Sequence, residues 1–188
     1  TLQSEPGGSL AFNFGTINYL SDLSISSGDQ LESLLGGSHT IPIAKKIQVD
    51  GTTTLFNVLT IDGGAFSTAN LLNPQLLQFE RGTLELTDAS GLTIGDGELF
   101  GNSLSIGSEQ NLQIANTLTI DLGATLSLRT DGSISAGTLA NSGILQGSGV
   151  ITATLVNQVG GLVRVQATDL LTISDTAHTN DGDIQIQG

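Results

Sequence analysis

The sequence predicts an all-β chain wound as a right-handed parallel β-helix, a β-solenoid with about 20 residues per coil and an atypical N-terminal cap. Three observations predict it. A short strand phrase recurs, the spacing between its copies is regular, and turn-forming residues separate them. The phrase is aliphatic–polar–aliphatic. It appears as Leu59-Thr60-Ile61, Leu84-Glu85-Leu86, Leu92-Thr93-Ile94, Leu104-Ser105-Ile106 and Leu112-Gln113-Ile114. It continues as Leu118-Thr119-Ile120, Leu126-Ser127-Leu128, Val163-Arg164-Val165, Leu171-Thr172-Ile173 and Ile184-Gln185-Ile186. Alternation of period two over so few residues marks a strand with one buried face. Gly, Asn, Asp and Ser lie between the copies, where the chain must turn.

The spacing sets the architecture. Leu84 to Leu104 and Leu92 to Leu112 are each 20 residues, Leu118 to Leu139 is 21, Ile144 to Val163 is 19 and Val163 to Ile184 is 21. Neighbouring phrases often start 8 residues apart, so two or three short strands fit in each unit. Each strand then pairs in parallel with its counterpart one coil away, about 4.8 Å along the axis. Right-handed crossovers are the rule for parallel strands, hence the expected hand. At about 4.8 Å per coil, residues 59–188 make roughly six or seven coils, a rod of about 30 Å. A sandwich of hairpins fits less well. The strands are shorter than the usual 5–6 residues, aromatics are only 4% of the chain, and Asp-Gly or Asn-Gly hairpin turns are few.

Taken in order, residues 1–40 form the atypical end. Leu10–Phe14 reads as a strand. Asp29–Leu35 reads as a short helix, capped by Asp29 with Glu32 three residues on and stopped by Gly36-Gly37. This stretch is expected to cap the terminal coil or to dock a neighbour, because a bare coil end exposes unpaired backbone. Residues 41–188 form the solenoid, beginning at Ile41-Pro42-Ile43. Within it, Asn141-Ser142-Gly143-Ile144, Asn157 to Leu162 and Asn180-Asp181-Gly182-Asp183-Ile184 make a second repeat. Each places an Asn before a Gly and a new strand. Such Asn side chains tolerate left-handed backbone and bond along a stack of turns. The closing alternation Ile184, Ile186 is an uncovered strand, so either the chain continues past Gly188 or another molecule lies against it. Thr1 in place of an initiator Met reads as a mature or trimmed start.

Composition removes several function classes. With no Cys, disulfides and thiol chemistry are excluded. Five basic residues against eighteen acidic ones, a formal charge of −13, leave no basic footprint for nucleic acid. The 25 Gly follow no Gly-X-Y period, which excludes collagen. No apolar run approaches the length of a membrane span.

The runs Thr53–Ser67, Leu92–Gly101 and Ala140–Ile151 resemble the Gly/Thr/Asn-rich repeats of large bacterial surface proteins, the autotransporter-like passengers and PEP-CTERM-type exported proteins. The resemblance spans about residues 45–188. It implies a right-handed β-solenoid, an extracellular or cell-surface location and a role as stalk, matrix fibre or adhesin. No autotransporter barrel or sorting signal accompanies it in these 188 residues.

The residues with chemical potential are few, and no catalytic, metal or cofactor site is expected. His39 and His178 are far apart, with no Cys or second His beside either. His178 reads as a solvated turn residue. The pairs Asp96/Glu98 and Asp181/Asp183 have the two-residue spacing that puts carboxylates on one side, as glycosidases need. Both lie in Gly-rich turns, where Asp serves the backbone. Lys45, Lys46, Arg81, Arg129 and Arg164 are too dispersed to supply a lyase base. Repeated Asp in turns suits calcium, but the Gly-Gly-x-Gly-x-Asp nonapeptide of calcium β-rolls is missing. Diffuse counterion binding is expected in its place. The outward residues Thr60, Glu85, Thr93, Ser105, Gln113, Thr119, Ser127, Arg164, Thr172 and Gln185 are too mixed for an ice-binding threonine array. Tyr19, Phe12, Phe14, Phe56, Phe66, Phe79 and Phe100 are the aromatic candidates for a surface or glycan ligand, and most are expected in the core or cap. The expected function is therefore structural: an extracellular fibre or stalk that polymerises head to tail, or continues as a longer chain. A polysaccharide-cleaving β-helix enzyme is the most distant alternative.

Overall fold

In the computed structural model residues 38–187 are described throughout, together with the backbone of 2–3, 9–11, 17–18, 23–25 and 30–32. The fold is a parallel β-solenoid. Apart from a 3-10 turn at Pro74–Leu76, no helix occurs among the described residues. The chain divides into two compact units, Thr1–Asp88 and Ala89–Gly188.

The first unit contains β1 (Leu2–Gln3), β2 (Ser9–Ala11), β3 (Ile17–Asn18), β4 (Leu23–Ile25), β5 (Gln30–Glu32), β6 (His39–Pro42), β7 (Lys46–Thr54), β8 (Leu59–Leu72) and β9 (Leu77–Leu86). They pair in parallel as three ladders. One stacks Leu2, Leu23, Ile47, Phe66 and Leu84. The second stacks Leu10, Leu31, Thr53 and Leu71. The third stacks Ile17, His39, Leu59 and Leu77. Each coil therefore has three faces. β7, β8 and β9 are longer than the short phrases of the sequence because they run through the corners without a break. Register shifts between Val49 and Thr52, and between Asp62 and Ala65, make the bends.

Residues 1–40 contribute strands to this same ladder. The helix expected over Asp29–Leu35 is absent at its centre, where Gln30–Glu32 is β5, paired with β2 and β7. A seven-residue helix with one cap is marginal in water. A strand paired on both sides satisfies its backbone more completely. The expected strand Leu10–Phe14 is present as β2 up to Ala11, and Phe12, Phe14 and Tyr19 lie outside the described residues.

The core of the first unit is a narrow aliphatic stack with Ile41, Ile47, Ile61, Phe66 and Leu71 almost fully buried. Two hydroxyls join it. Thr53 and Thr68 bond each other at 2.9 Å, and Thr68 also reaches the carbonyl oxygens of Gly51 and Asn70. These bonds satisfy polar atoms that a bulge brings inside. His39 takes an inward position as well, at 3% exposure. Desolvation holds its pKa below the ordinary 6.5. As pH falls, the unfolded chain takes up this proton before the folded one does. The folded state thus keeps its full stability above pH 6.5 and loses stability below it. His39→Leu is expected to flatten this dependence. The comparison is urea unfolding of both chains at about pH 7.5 and about pH 5.5, where the wild-type excess loss cannot exceed about 1.4 kcal/mol per pH unit.

The second unit contains β10 (Leu92–Ile94), β11 (Ser103–Ile106), β12 (Gln110–Ile114), β13 (Thr117–Ile120), β14 (Thr125–Leu128), β15 (Ser133–Asn141), β16 (Ile144–Gly147), β17 (Gly149–Asn157), β18 (Leu162–Val165), β19 (Leu171–Ser174), β20 (Thr179–Asn180) and β21 (Asp183–Ile186). It too has three faces, visited in turn. Face one stacks Leu92, Leu118, Leu139 and Leu155. Face two stacks Leu104, Leu126, Leu145, Val163 and Ile184. Face three stacks Leu112, Ile134, Ile151 and Ile173. Most of these residues are buried, and many strands add a second inward residue two positions on, as with Leu118 and Ile120 or Leu126 and Leu128. Deep inside the unit nearly every such position is at or near zero exposure. Toward the last coil Ile184 is 54% exposed.

Three spacings differ from expectation. Leu104 pairs with Leu126 and belongs to a different sheet from Leu84. Leu92 pairs with Leu118, not with Leu112. Leu104 and Leu112 occupy the other two faces of the same coil, which a wide turn at Gly95–Asn102 lengthens. Ile144 pairs with Leu162 and Leu145 with Val163, one residue from the expected match. The alternating pleat puts Leu145 and Val163 inside and Ile144 on the outer side.

Candidate functional site

The most ordered polar feature of the second unit is a stack of asparagines at the corner between faces one and two. Asn141 and Asn157 are fully buried. Asn141 Nδ2 donates to Asn157 Oδ1 at 2.7 Å, and Asn157 Nδ2 donates to Asn180 Oδ1 at 2.6 Å. The second proton of each amide goes to a backbone carbonyl of the next coil, Leu162 for Asn141 and Asp183 for Asn157. This is the stack of turns that the Asn-before-Gly repeat predicts. Its start is abrupt: Asn141 Oδ1 is buried with no hydrogen-bond partner. The coil before places Ile120 in register with Asn141, so no amide is there to donate. The stack ties one coil to the next, since, apart from Asn141 Oδ1, the amides of Asn141 and Asn157 are spent on neighbouring asparagines and backbone carbonyls.

The carboxylate pairs both lie in exposed turns. Asp96 and Glu98 are exposed in the wide turn, where Glu98 N bonds Gly95 O and Gly101 N bonds Glu98 O. Asp181 and Asp183 are exposed at the last corner, with their amides tied to Asn157 O and Gly161 O. Among the described residues no three His, Asp or Glu side chains come close enough together to hold a metal ion.

His178 is exposed yet not simply solvated. Its Nδ1 accepts the amide proton of Leu155 at 3.1 Å, standing in for a ladder carbonyl. Asp175, close by, accepts from the Thr154 hydroxyl and the Thr176 amide, and these bonds hold its carboxyl below the usual range, with a smaller contribution from His178. The sequence offers no signal for this pairing, because it depends on register across 23 residues.

The aromatics are scattered. Phe66 is core, Phe79 and Phe100 are half-buried, and Phe56 is 49% exposed. The basic residues pair locally in the first unit, Arg81 with Asp62 at 2.6 Å and Lys46 with Glu85 at 3.6 Å. All four side chains are over a third exposed, where such pairs contribute little.

The last coil is different from the rest. β19, β20 and β21 each pair with the coil before them, and among the described residues no strand pairs on their other side. Leu170, Ile184 and Ile186 are 75%, 54% and 80% exposed there. The arrangement presents three parallel strand edges around an apolar centre, the same surface that every inner coil offers to its successor.

No protein family, no curated protein and no solved structure matches this chain. The fold itself defines the class: a parallel β-solenoid repeat protein. No helix among the described residues is long and apolar enough to cross a membrane.

Proposed function

We propose that this chain is a structural segment of an extracellular bacterial fibre or stalk, acting as a stiff right-handed β-solenoid that is extended end to end. The observation that carries the reading is the last coil, with three unpaired strand edges and exposed Ile184 and Ile186. Open edges of this kind recruit another strand layer. A head-to-tail contact of non-identical surfaces generates an open filament and not a closed ring. The first coil offers a matching set of three short strands, β1, β2 and β3, each paired on one side only among the described strands. The charge of −13 favours this geometry, because acidic sides repel and leave the ends as the route of association. The surface location rests on the likeness of residues 45–188 to Gly/Thr/Asn-rich surface repeats. The reading gives the protein no catalytic role.

The test is light scattering and negative-stain electron microscopy of the purified chain over a range of concentrations. Rods that lengthen with concentration are expected. Ile184→Asp is expected to return the protein to single molecules with an unchanged circular dichroism spectrum, since it places a charge on the apolar edge. A wild-type chain that stays monomeric at every concentration overturns end-to-end assembly.

A further inference from the structure

The second unit has a notch of about 430 Å³ where face two turns into face three. Its origin is a difference in corner length. β14 and β15 are joined by Arg129–Gly132, β16 and β17 by Ser148 alone, and β18 and β19 by Gln166–Leu170. The middle corner is therefore recessed between two that project. Two coil steps separate the projecting corners, roughly 10 Å.

The lower corner is fastened to the floor of the notch. Ser148, 9% exposed, donates its hydroxyl to an Asp169 carboxylate oxygen at 2.9 Å and accepts the Leu170 amide at 3.1 Å. The other Asp169 oxygen accepts the Gln166 amide, and Gly149 N bonds Leu170 O. The upper corner is closed by Gly132 N to Arg129 O, and Val150 N ties the floor to Gly132 O. Both walls are thus preformed, which lowers the ordering cost of binding.

The lining combines three kinds of group. Thr130, Ser133, Thr168 and Thr172 bring hydroxyls, Asp131 brings a carboxylate, and Val150 and Leu170 bring apolar surface, at 45% and 75% exposure. None of the residues lining the notch is basic. In a chain of charge −13, phosphate, sulfate or carboxylate ligands are repelled, and the lining residues offer them no cation. Two apolar side chains are too few to cover an oily ligand. What remains is a neutral molecule with a hydroxylated rim and a C–H face. We propose that this notch binds a neutral pyranose, such as the exposed terminal sugar of a glycan. The ring's C–H face lies on Val150 and Leu170. Ser and Thr hydroxyls exchange hydrogen bonds with the sugar, and two adjacent sugar hydroxyls donate to Asp131. The site lies within one unit and does not depend on assembly into rods. One shallow contact of this size fits a Kd of about 1 mM, and repetition along a fibre converts it into useful avidity.

The test is saturation-transfer NMR on the whole chain with galactose, glucose, mannose and N-acetylglucosamine at millimolar concentrations, with N-acetylneuraminic acid as the anionic comparison. Transfer to at least one neutral sugar is expected. Val150→Trp, which fills the notch from an outward strand position, is expected to weaken it at least about tenfold, and Asp131→Asn by a similar factor. Leu170→Arg, in an exposed loop, is the second blocking variant should Val150→Trp fail to fold. No transfer to any neutral sugar overturns the proposal. So does transfer that survives unchanged in a folded blocking variant, and so does a preference for the anionic sugar. Filament formation is read separately by microscopy, so failure of one proposal leaves the other standing.

Discussion

Gly147→Val is expected to cost more than about 4 kcal/mol and to leave the second unit largely unfolded. Gly147 closes β16 with φ +105, a backbone region that side chains with a Cβ rarely adopt. A Cβ there would sit against the carbonyl oxygen of Leu128 in the coil before. That oxygen is already committed, accepting the Ser148 amide at 3.0 Å. Neither backbone can retreat, because each is held in the face-two ladder. Gly123→Ala is the informative comparison. Gly123 also has positive φ, +83, but nothing lies within 4 Å of its added Cβ. Strain alone is then lost, about 1–2 kcal/mol. Urea unfolding followed by circular dichroism measures both. Equal effects at the two sites would show that backbone strain, and not the coil-to-coil clash, governs these corners.

Asn157→Leu carries the second largest expected effect, about 3 kcal/mol. It removes the donor to Asn180 Oδ1 and the acceptor for Asn141 Nδ2 in one step, and strips a hydrogen bond from Asp183 O. The partners stay where they are, and Asn141 is fully buried. Asn141→Leu is expected to cost less. It deprives Asn157 Oδ1 of its donor, but it also removes an oxygen that has no partner and offers Ile120 an apolar neighbour in register. The difference between the two variants, from denaturant midpoints, reads the position of an amide within the stack. A greater loss at Asn141 than at Asn157 would contradict this account.

Much of the solenoid is legible in the residues themselves. Leu118, Leu139, Val163 and Ile184 fall where a period of about 20 puts them, because an apolar stack in parallel register repeats its residue type at every coil. Asn141, Asn157 and Asn180 are recognisable for the same reason. The pairing of Leu92 was not legible. Three faces spaced about 8 residues apart produce several false matches, and the extra turn at Gly95–Asn102 shifts the true one to Leu118. The one-residue error at Ile144 has a similar cause: Ile144 and Leu145 are both aliphatic, and only the pleat decides which faces in. The local signals at Asp29–Leu35 favour a helix, yet β5 forms because its partners on both sides are strands.

The outward residues show the same division. The series that reads as mixed along the chain sorts by face once the register is known. Thr93 and Thr119 then lie on one face with Ala140 and Val156, while Arg164 and Gln185 lie on another. The candidate sugar notch belongs wholly to the structure. Gly147-Ser148-Gly149 becomes the floor of a cleft only because the corners before and after it are longer.

The sequence by itself determined the class of fold, the aliphatic phrase that fills its core and the asparagines that stack at one corner. These are properties of a repeat, and repetition is visible in one dimension. The tertiary structure alone decided which phrase pairs with which, which face each outward residue joins, and where unequal corners open a notch. Those follow from register and from corner length. Both are set by backbone hydrogen bonds between residues some 16 to 26 positions apart, whose partners no local pattern names.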